Sequence, residues 1–296
     1  MMRDASHPSG RRDVRRPLSP AVIAVCALLV ACSRAEAPRP TPVAEHYRLI
    51  ADSATQPLLQ ALTDAYAETV NPYARFTIEL GAPAHLAERL RSGQVLLGAT
   101  SLVPPRPPGL KWWLADLALD GVAVVVHGDN PINALTLRDL RDIFSGVRNN
   151  WADYGQDGSG SIEVAVREDG DGTRVTFDRA VMGDQRLTFD AIVMPSVETM
   201  LNFVALRPGA IGYVPSPSIA RRREGRAGGA TPVKALALDG VAPTAENLAG
   251  GEYPLVRTLS LIGLYEPQGE LRNFVAWALG PQGRSIAESL GYAAFR

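Results

Sequence analysis

The residues best suited to chemistry lie in one short turn, residues 167–173, which read Arg-Glu-Asp-Gly-Asp-Gly-Thr. An apolar, β-branched run at 162–166 precedes the turn and a helical pattern at 175–182 follows it, which predicts strand, glycine-rich turn and helix. The first N–H groups of a helix lack partners within the helix and attract anions. Arg167 adds a planar, permanently charged guanidinium that suits a carboxylate, phosphate or sulfate. The turn therefore predicts half of an oxyanion site, although Asp171 brings a negative charge into it.

Two other segments bring hydroxyl groups to the ends of predicted strands. Residues 47–51 form a predicted strand, and Pro57 suits the first position of the helix that follows, with Ser53 or Thr55 as its cap. A third strand is predicted at 95–101, and it ends in Thr-Ser. Strands and helices alternate here, which is the pattern of an open α/β sheet.

Further patterns predict a strand, two helix starts and a loop. Residues 120–126 predict a buried strand, because all but the first two are apolar. Thr136 and Asp139 form a predicted capping box, and Ser196 is the predicted cap of a later helix. The polar segment 221–229, rich in glycine and arginine, is interpreted as a solvated loop.

Composition excludes some classes of protein. The chain has 296 residues, 46% of them hydrophobic and 21% charged, which is typical of a globular protein with room for two domains. Beyond residue 31 it carries 25 basic and 29 acidic residues. Such a mildly acidic body argues against a nucleic-acid partner, which requires a basic face.

The N-terminus predicts export. Arginines precede an uninterrupted small and apolar run at 21–31, which is too short for the roughly 20 residues of a membrane-spanning helix. Residues 29–32 read Leu-Val-Ala-Cys and resemble a bacterial lipobox, in which Cys32 becomes the lipidated first residue. We therefore expect a signal peptide at 1–31 and a lipidated tether at 32–46, the alternative being a plain signal peptide with an incidental cysteine.

The mature chain lacks the usual residues of catalysis. Cys26 lies in the discarded core and Cys32 would carry lipid, so no thiol remains for a nucleophile or a metal site. His46, His85 and His127 have no ligand spacing, and the mature chain has no Gly-x-Ser-x-Gly motif. We expect no metal, no cofactor and no enzymatic activity.

Several segments, in order along the chain, resemble the phosphate-binding proteins of ABC importers, a branch of the type II solute-binding superfamily. These segments are residues 135–146 with 150–151, 167–173, 211–214, 253–257, and 283–287 with 291–292. The resemblance implies an α/β type II periplasmic-binding-protein fold, with two α/β lobes joined by hinge strands and the ligand between them. The first lobe would comprise residues 47–121 and 227–296, and the second residues 122–226.

The resemblance also implies a function and a set of ligand contacts. The protein would be a lipid-anchored, monomeric receptor facing the periplasm or the exterior, which captures an inorganic oxyanion, phosphate, for the membrane subunits of an ABC importer. The implied ligand-binding residues are Ser53, Ala54, Thr55, Ser101, Arg167, Asp171, Gly172 and Thr173.

Three positions depart from the family pattern. Asp171 stands where the motif has serine, Ser101 stands where the family has an aspartate that accepts the ligand's proton, and Ala82-Pro83 lacks a hydroxyl and an N–H group. One hypothesis is that Asp171 accepts the ligand's proton while Ser101 donates. The other is that Asp171 turns outward, or pairs with Arg167, and weakens or abolishes phosphate binding. The alternative function is therefore an envelope sensor or scaffold with an altered pocket.

Overall fold

The computed structural model describes residues 44–106, 108–155, 160–224 and 233–295, so the predicted signal peptide and Cys32 lie outside the described residues. The strands are β1 (Glu45–Ala51), β2 (Ala74–Leu80), β3 (Leu97–Thr100), β4 (Trp113–His127), β5 (Ala134–Leu135), β6 (Glu163–Arg167), β7 (Ile192–Met194), β8 (Ala210–Pro215), β9 (Val233–Ala235), β10 (Ala237–Leu238) and β11 (Val256–Gly263). The α-helices are α1 (Gln56–Thr69), α2 (Pro83–Arg91), α3 (Leu137–Phe144), α4 (Gly172–Phe177), α5 (Val197–Leu206), α6 (Pro217–Glu224), α7 (Ala245–Ala249), α8 (Gly269–Ala278) and α9 (Pro281–Ser289).

Strand β4 joins two portions of one mixed sheet. Within the described residues the strand order is β2-β1-β3-β11-β4-β8-β6-β7, with β9 also paired to β4. The first half of β4 pairs with β11 and the second half with β8, both antiparallel. Strand β1 runs parallel to β2 and β3. The carboxyl ends of β1 and β3 therefore lie side by side at one edge of the sheet, where open α/β sheets bind ligands.

Each portion of the sheet has its own apolar core. Around the first portion, Tyr66 of α1 packs edge-on against Phe274 of α8, and both side chains are buried. Around the second portion, Phe177 of α4 stacks on Tyr213 of β8 with ring centroids 4.2 Å apart. Complete burial of such side chains stabilises the fold by roughly 1.5–3 kcal/mol each, so α1 and α4 are fixed firmly to the sheet.

Two predicted caps are confirmed. The Thr136 hydroxyl accepts a hydrogen bond from the Asp139 backbone, the Asp139 carboxylate accepts one from the Thr136 backbone, and α3 follows. Ser196 caps α5, which spans Val197–Leu206. These helix starts depend on side chains only three residues apart, so a local pattern was sufficient to predict them.

Several boundaries differ from the predictions. Strand β1 begins at Glu45, two residues earlier than predicted, and both added residues pair with β2. Strand β4 begins at Trp113, because its pairing with the distant strand β11 extends it. The prediction of a loop from residue 221 was wrong for residues 221–224, which belong to α6, while residues 225–229 lie outside the described residues.

Candidate functional site

A polar cleft of about 240 Å³ lies where β1, β2 and β6 end. It holds four of the eight predicted ligand-binding residues, and the other four border them. The described lining consists of Asp52, Ser53, Leu80, Gly81, Ala82, Pro83, Arg167, Glu168, Asp169, Asp171, Gly172 and Pro195.

Asp171 faces into this cleft and binds groups on both sides of it. Its Oδ2 accepts hydrogen bonds from Arg167 Nη2 at 3.0 Å and from Ser53 Oγ at 2.8 Å. Its Oδ1 accepts from the backbone N–H groups of Thr173 at 2.8 Å and Arg174 at 3.2 Å, so Asp171 is the N-cap of α4. The hypothesis that Asp171 turns outward is wrong. The structure contains the alternative, in which Asp171 pairs with Arg167.

The same contacts explain the start of α4. The predicted helix began at residue 175, whereas α4 begins at Gly172, directly after Asp171. The sequence hypotheses gave Asp171 the role of a proton acceptor or of a disruptive charge, and none of them made it a helix cap. Aspartate is among the best N-caps, and this signal was available in the sequence.

Arg167 is a fixed, buried cation. Only 3% of the residue is exposed, and Nη1 donates to the carbonyl oxygen of Met194 at 2.8 Å. Arg174 donates to the carbonyl oxygen of Arg167, also at 2.8 Å, which holds the backbone there. The Nε atom of Arg167 is buried and has no hydrogen-bond partner. A buried donor without a partner costs free energy, so one hydrogen bond of the Arg167 guanidinium remains unsatisfied.

Asp52, which the sequence analysis did not select, organises the opposite side of the cleft. It follows β1 directly, and only 2% of it is exposed. Its Oδ1 accepts from the backbone N–H groups of Ala54 (3.1 Å) and Thr55 (3.0 Å) and from the Thr55 hydroxyl (3.0 Å). Its Oδ2 accepts from the backbone N–H (2.6 Å) and hydroxyl (2.9 Å) of Ser101 and from the Thr100 hydroxyl (3.2 Å).

The contacts of Asp52 correct the predicted cap of α1. The Thr55 hydroxyl donates to Asp52 and to the Ala99 carbonyl, and the Ser53 hydroxyl donates to Asp171, so neither caps the helix. Pro57 was predicted at the first position of α1 and lies at the second, because α1 begins at Gln56. An aspartate directly after a strand and before Ser-Ala-Thr is itself a capping signal.

The two sides of the cleft touch at Gly172. A Cβ atom built on Gly172 would collide with Ser101 Oγ, so only a glycine allows this approach. The neighbouring Thr173 hydroxyl accepts a hydrogen bond from Arg257 Nη2 at 3.2 Å, and Arg257 forms a buried ion pair with Asp120 at 2.6 Å. All eight predicted residues are thus brought together, although 118 positions separate Ser53 from Asp171.

Opposing influences act on the carboxyl group of Asp171. Burial alone would raise the pKa of Asp171, but the Arg167 guanidinium and the Ser53 hydroxyl outweigh it and lower that pKa below its ordinary value. Asp171 is therefore ionised at neutral pH and forms a charged pair with Arg167.

Other kinds of site receive no support from the described ranges. Across residues 44–106, 108–155, 160–224 and 233–295, no three His, Cys, Asp or Glu side chains group closely enough to hold a metal ion. In the same ranges, no helix has the length and apolarity needed to span a bilayer.

The chain is similar to known proteins along most of its length. Residues 37–282 match the family model of the PBP superfamily domain. The phosphate-binding protein PstS of Bacillus subtilis (strain 168) is 30% identical over 206 residues, which cover 69% of this chain and 65% of that protein. Phosphate-binding protein PstS 2 of Streptococcus pneumoniae serotype 4 is 30% identical over 146 residues, or 47% of each chain. The alignments thus span less than two thirds of these curated relatives.

A solved structure supports the fold. A putative phosphate ABC transporter substrate-binding protein from Clostridium perfringens, solved with bound phosphate, superposes with a TM-score of 0.73 at 23% identity. The superposition covers 85% of this chain and 100% of that one, and at this identity it bears on the fold alone. Because the family model spans most of the sequence and the α/β architecture agrees with it, the chain belongs to the PBP superfamily.

Proposed function

We propose that this protein captures an inorganic oxyanion of the phosphate type and delivers it to the membrane subunits of an ABC importer. Two of its relatives are named phosphate-binding proteins, and the family match spans residues 37–282. The family and these relatives bind solutes, so we infer that the chain binds and releases its ligand without catalysing a reaction.

The observation that carries this proposal is the buried guanidinium of Arg167 in the cleft. It is permanently charged, its planar fork matches the oxygens of a tetrahedral anion, and its Nε has no partner. The cleft volume of about 240 Å³ suits a small ion rather than a large organic ligand. Ser53 and Gly172 line the same space, so hydroxyl and backbone donors flank the cation.

The charges around the cleft favour an anion that carries a proton. The described lining contains four carboxylates, Asp52, Glu168, Asp169 and Asp171, but a single arginine. A carboxylate facing a fully ionised anion is repelled, whereas a protonated oxyanion can donate a hydrogen bond to it. We therefore expect phosphate and arsenate, which carry a proton at neutral pH, to bind better than sulfate.

The direct test is titration calorimetry of the mature protein with phosphate, arsenate and sulfate. Arg167→Ala should weaken phosphate binding by more than about tenfold, because it removes a charge-assisted contact. Arg167→Lys keeps the charge but loses the fork, and we expect an intermediate loss. Arg186→Ala, which removes an exposed cation, is the matched control and should leave binding unchanged. Full affinity in a folded Arg167→Ala protein would exclude Arg167 as a ligand contact.

We further propose that the protein is exported and anchored through lipid on Cys32. The support is the apolar run at residues 21–31, followed at once by that cysteine. The receptor would then face the periplasm or the exterior as a monomer.

One observation favours a second function, an envelope sensor or scaffold. Asp52 and Asp171 already accept hydrogen bonds from the donors that an anion would use. A cleft satisfied by its own carboxylates fits a protein that no longer carries solute. No heat of binding with any of the three anions would favour this function over transport.

A further inference from the structure

The donors of the cleft are satisfied by carboxylates of the chain itself. Asp52 accepts from three backbone N–H groups and three hydroxyls on one side. On the other side, Asp171 accepts from Arg167, Ser53 and two backbone N–H groups of the first turn of α4. Two carboxylates of the chain therefore already occupy the hydrogen-bond donors of the cleft.

The two carboxylates differ in how firmly they are held. Asp52 joins the end of β1, the turn that precedes α1 and the end of β3, and its six hydrogen bonds leave 2% of it exposed. Asp171 has four hydrogen bonds, and its side chain is 9% exposed at the wall of the open cleft. Removing the Asp52 carboxylate would leave the Ala54 N–H and both donors of Ser101 without an acceptor, whereas Asp171 borders open space into which it can rotate. Asp171 is the exchangeable one of the two.

We propose that Asp171 is a built-in competitor for the oxyanion, which must displace this carboxylate from Arg167 before it can bind. The inference rests on the proposed function of the cleft. An incoming anion and Asp171 cannot share Nη2 of Arg167 and the Ser53 hydroxyl, because two negative charges at hydrogen-bonding separation repel each other. Displacement transfers those two donors from the side chain to the ligand.

This arrangement sets affinity rather than selectivity. When only a fraction of molecules has Asp171 displaced, the apparent dissociation constant is the intrinsic constant divided by that fraction. The fraction of molecules with Asp171 displaced in the absence of ligand is the same whichever ligand is added. Removal of Asp171 should therefore tighten the binding of phosphate and of arsenate by a similar factor. Displacement of Asp171 also breaks its hydrogen bond with Ser53, which spans the cleft.

The test is calorimetric titration with inorganic phosphate of four mature proteins, the wild type, Asp171→Ser, Asp171→Asn and Asp184→Asn. Serine and asparagine are both good N-caps, so α4 keeps its cap in either variant. Asp171→Ser should lower the dissociation constant by at least about tenfold, since a charge-assisted hydrogen bond no longer competes. Asp171→Asn retains a neutral acceptor, and its affinity should fall between those of the wild type and Asp171→Ser.

Asp184→Asn is the matched control. It removes the same charge at an exposed position outside the described lining of the cleft. This variant should change the dissociation constant less than about twofold, because exposed charges are screened. An equal gain of affinity in Asp184→Asn and Asp171→Ser would overturn the inference, since net charge alone would then explain it.

The remaining outcomes separate the inference from the proposed function. Undetectable binding in the wild type together with clear binding in Asp171→Ser supports the competitor and favours the sensor or scaffold function over transport. Binding in the wild type with equal or weaker binding in Asp171→Ser and Asp171→Asn overturns the competitor and leaves the receptor function standing. If all four proteins are folded by circular dichroism and none binds phosphate, the receptor function itself is overturned, and the competitor with it.

Discussion

At the residue scale, the pair of Arg167 and Asp171 predicts how stability depends on pH. The pKa of Asp171 is lower in the folded protein than the value of about 3.9 in an unfolded chain. Its contribution is therefore complete above about pH 4 and is lost as the pH falls through the folded-state value. Urea unfolding of the wild type and Asp171→Asn should differ in free energy at pH 7, and the difference should shrink at pH 3. A constant difference would contradict an ionised Asp171.

The sequence identified the cation of this pair but left the role of Asp171 open. The order of residue types in 167–173 was sufficient to predict a turn with Arg167 facing an anion. The Asp171 cap of α4 is a local signal, but the contact of Asp171 with Ser53 spans 118 positions and lies beyond any local pattern. Asp52 was missed because the capping role was assigned to the hydroxyl groups that follow it, whereas its carboxylate accepts two backbone N–H groups directly before α1.

A second buried pair belongs to the strands that connect the two portions of the sheet. Asp120 of β4 is fully buried and accepts from Nε and Nη2 of Arg257 on β11. Asp120→Asn should lower the free energy of unfolding by about 3–5 kcal/mol, because it leaves the Arg257 charge buried without a counter-ion. The measurement is chemical denaturation. The double variant Asp120→Asn/Arg257→Met should lose less than the sum of the two single variants, and simple additivity would exclude a coupled pair.

At the element scale, local signals set the helix starts and distant pairing set the strand lengths. The caps of α3 and α5 could be predicted because their hydrogen bonds span three residues. The first five residues of β4 alternate between half-buried and exposed side chains, and its first half carries two aspartates, so its strand character there depends on pairing with β11. The extent of β4 was therefore outside the reach of a local pattern.

The capping box of α3 gives a prediction at this scale. Thr136→Ala should lower the free energy of unfolding by about 1 kcal/mol, because it removes an acceptor for the first turn. Thr69→Ala is a suitable control, since Thr69 lies exposed in the last turn of α1 and donates only to its own helix. Urea denaturation of both variants measures the difference, and equal losses would show that the Thr136 cap contributes nothing specific.

At the scale of the whole molecule, the order of several weak motifs along the chain carried the most information. Each motif alone is short, yet together they indicated the family that the match over residues 37–282 establishes. The lobe boundaries at residues 121 and 226 stay predictions. The direct contact between Gly172 and Ser101 could not be predicted, because it depends on how the two sides of the cleft meet.

Lipid anchoring is also a property of the whole molecule. In cells fed a labelled fatty acid, the wild type should take up label and fractionate with membranes, whereas Cys32→Ala should do neither. Cys26→Ala, which changes the other cysteine of the chain, should behave like the wild type because that residue lies in the predicted signal core. Membrane association of Cys32→Ala equal to that of the wild type would contradict an anchor at Cys32.

The central claim is that Arg167 binds an inorganic oxyanion at the position now held by the Asp171 carboxylate. The most direct measurement is a crystal structure of the wild-type mature protein grown with saturating inorganic phosphate. The predicted result is a tetrahedral anion within hydrogen-bonding distance of Arg167 and Ser53, with Asp171 rotated into the cleft. Asp171 still bound to Arg167 and Ser53, with no anion beside them, would contradict the account.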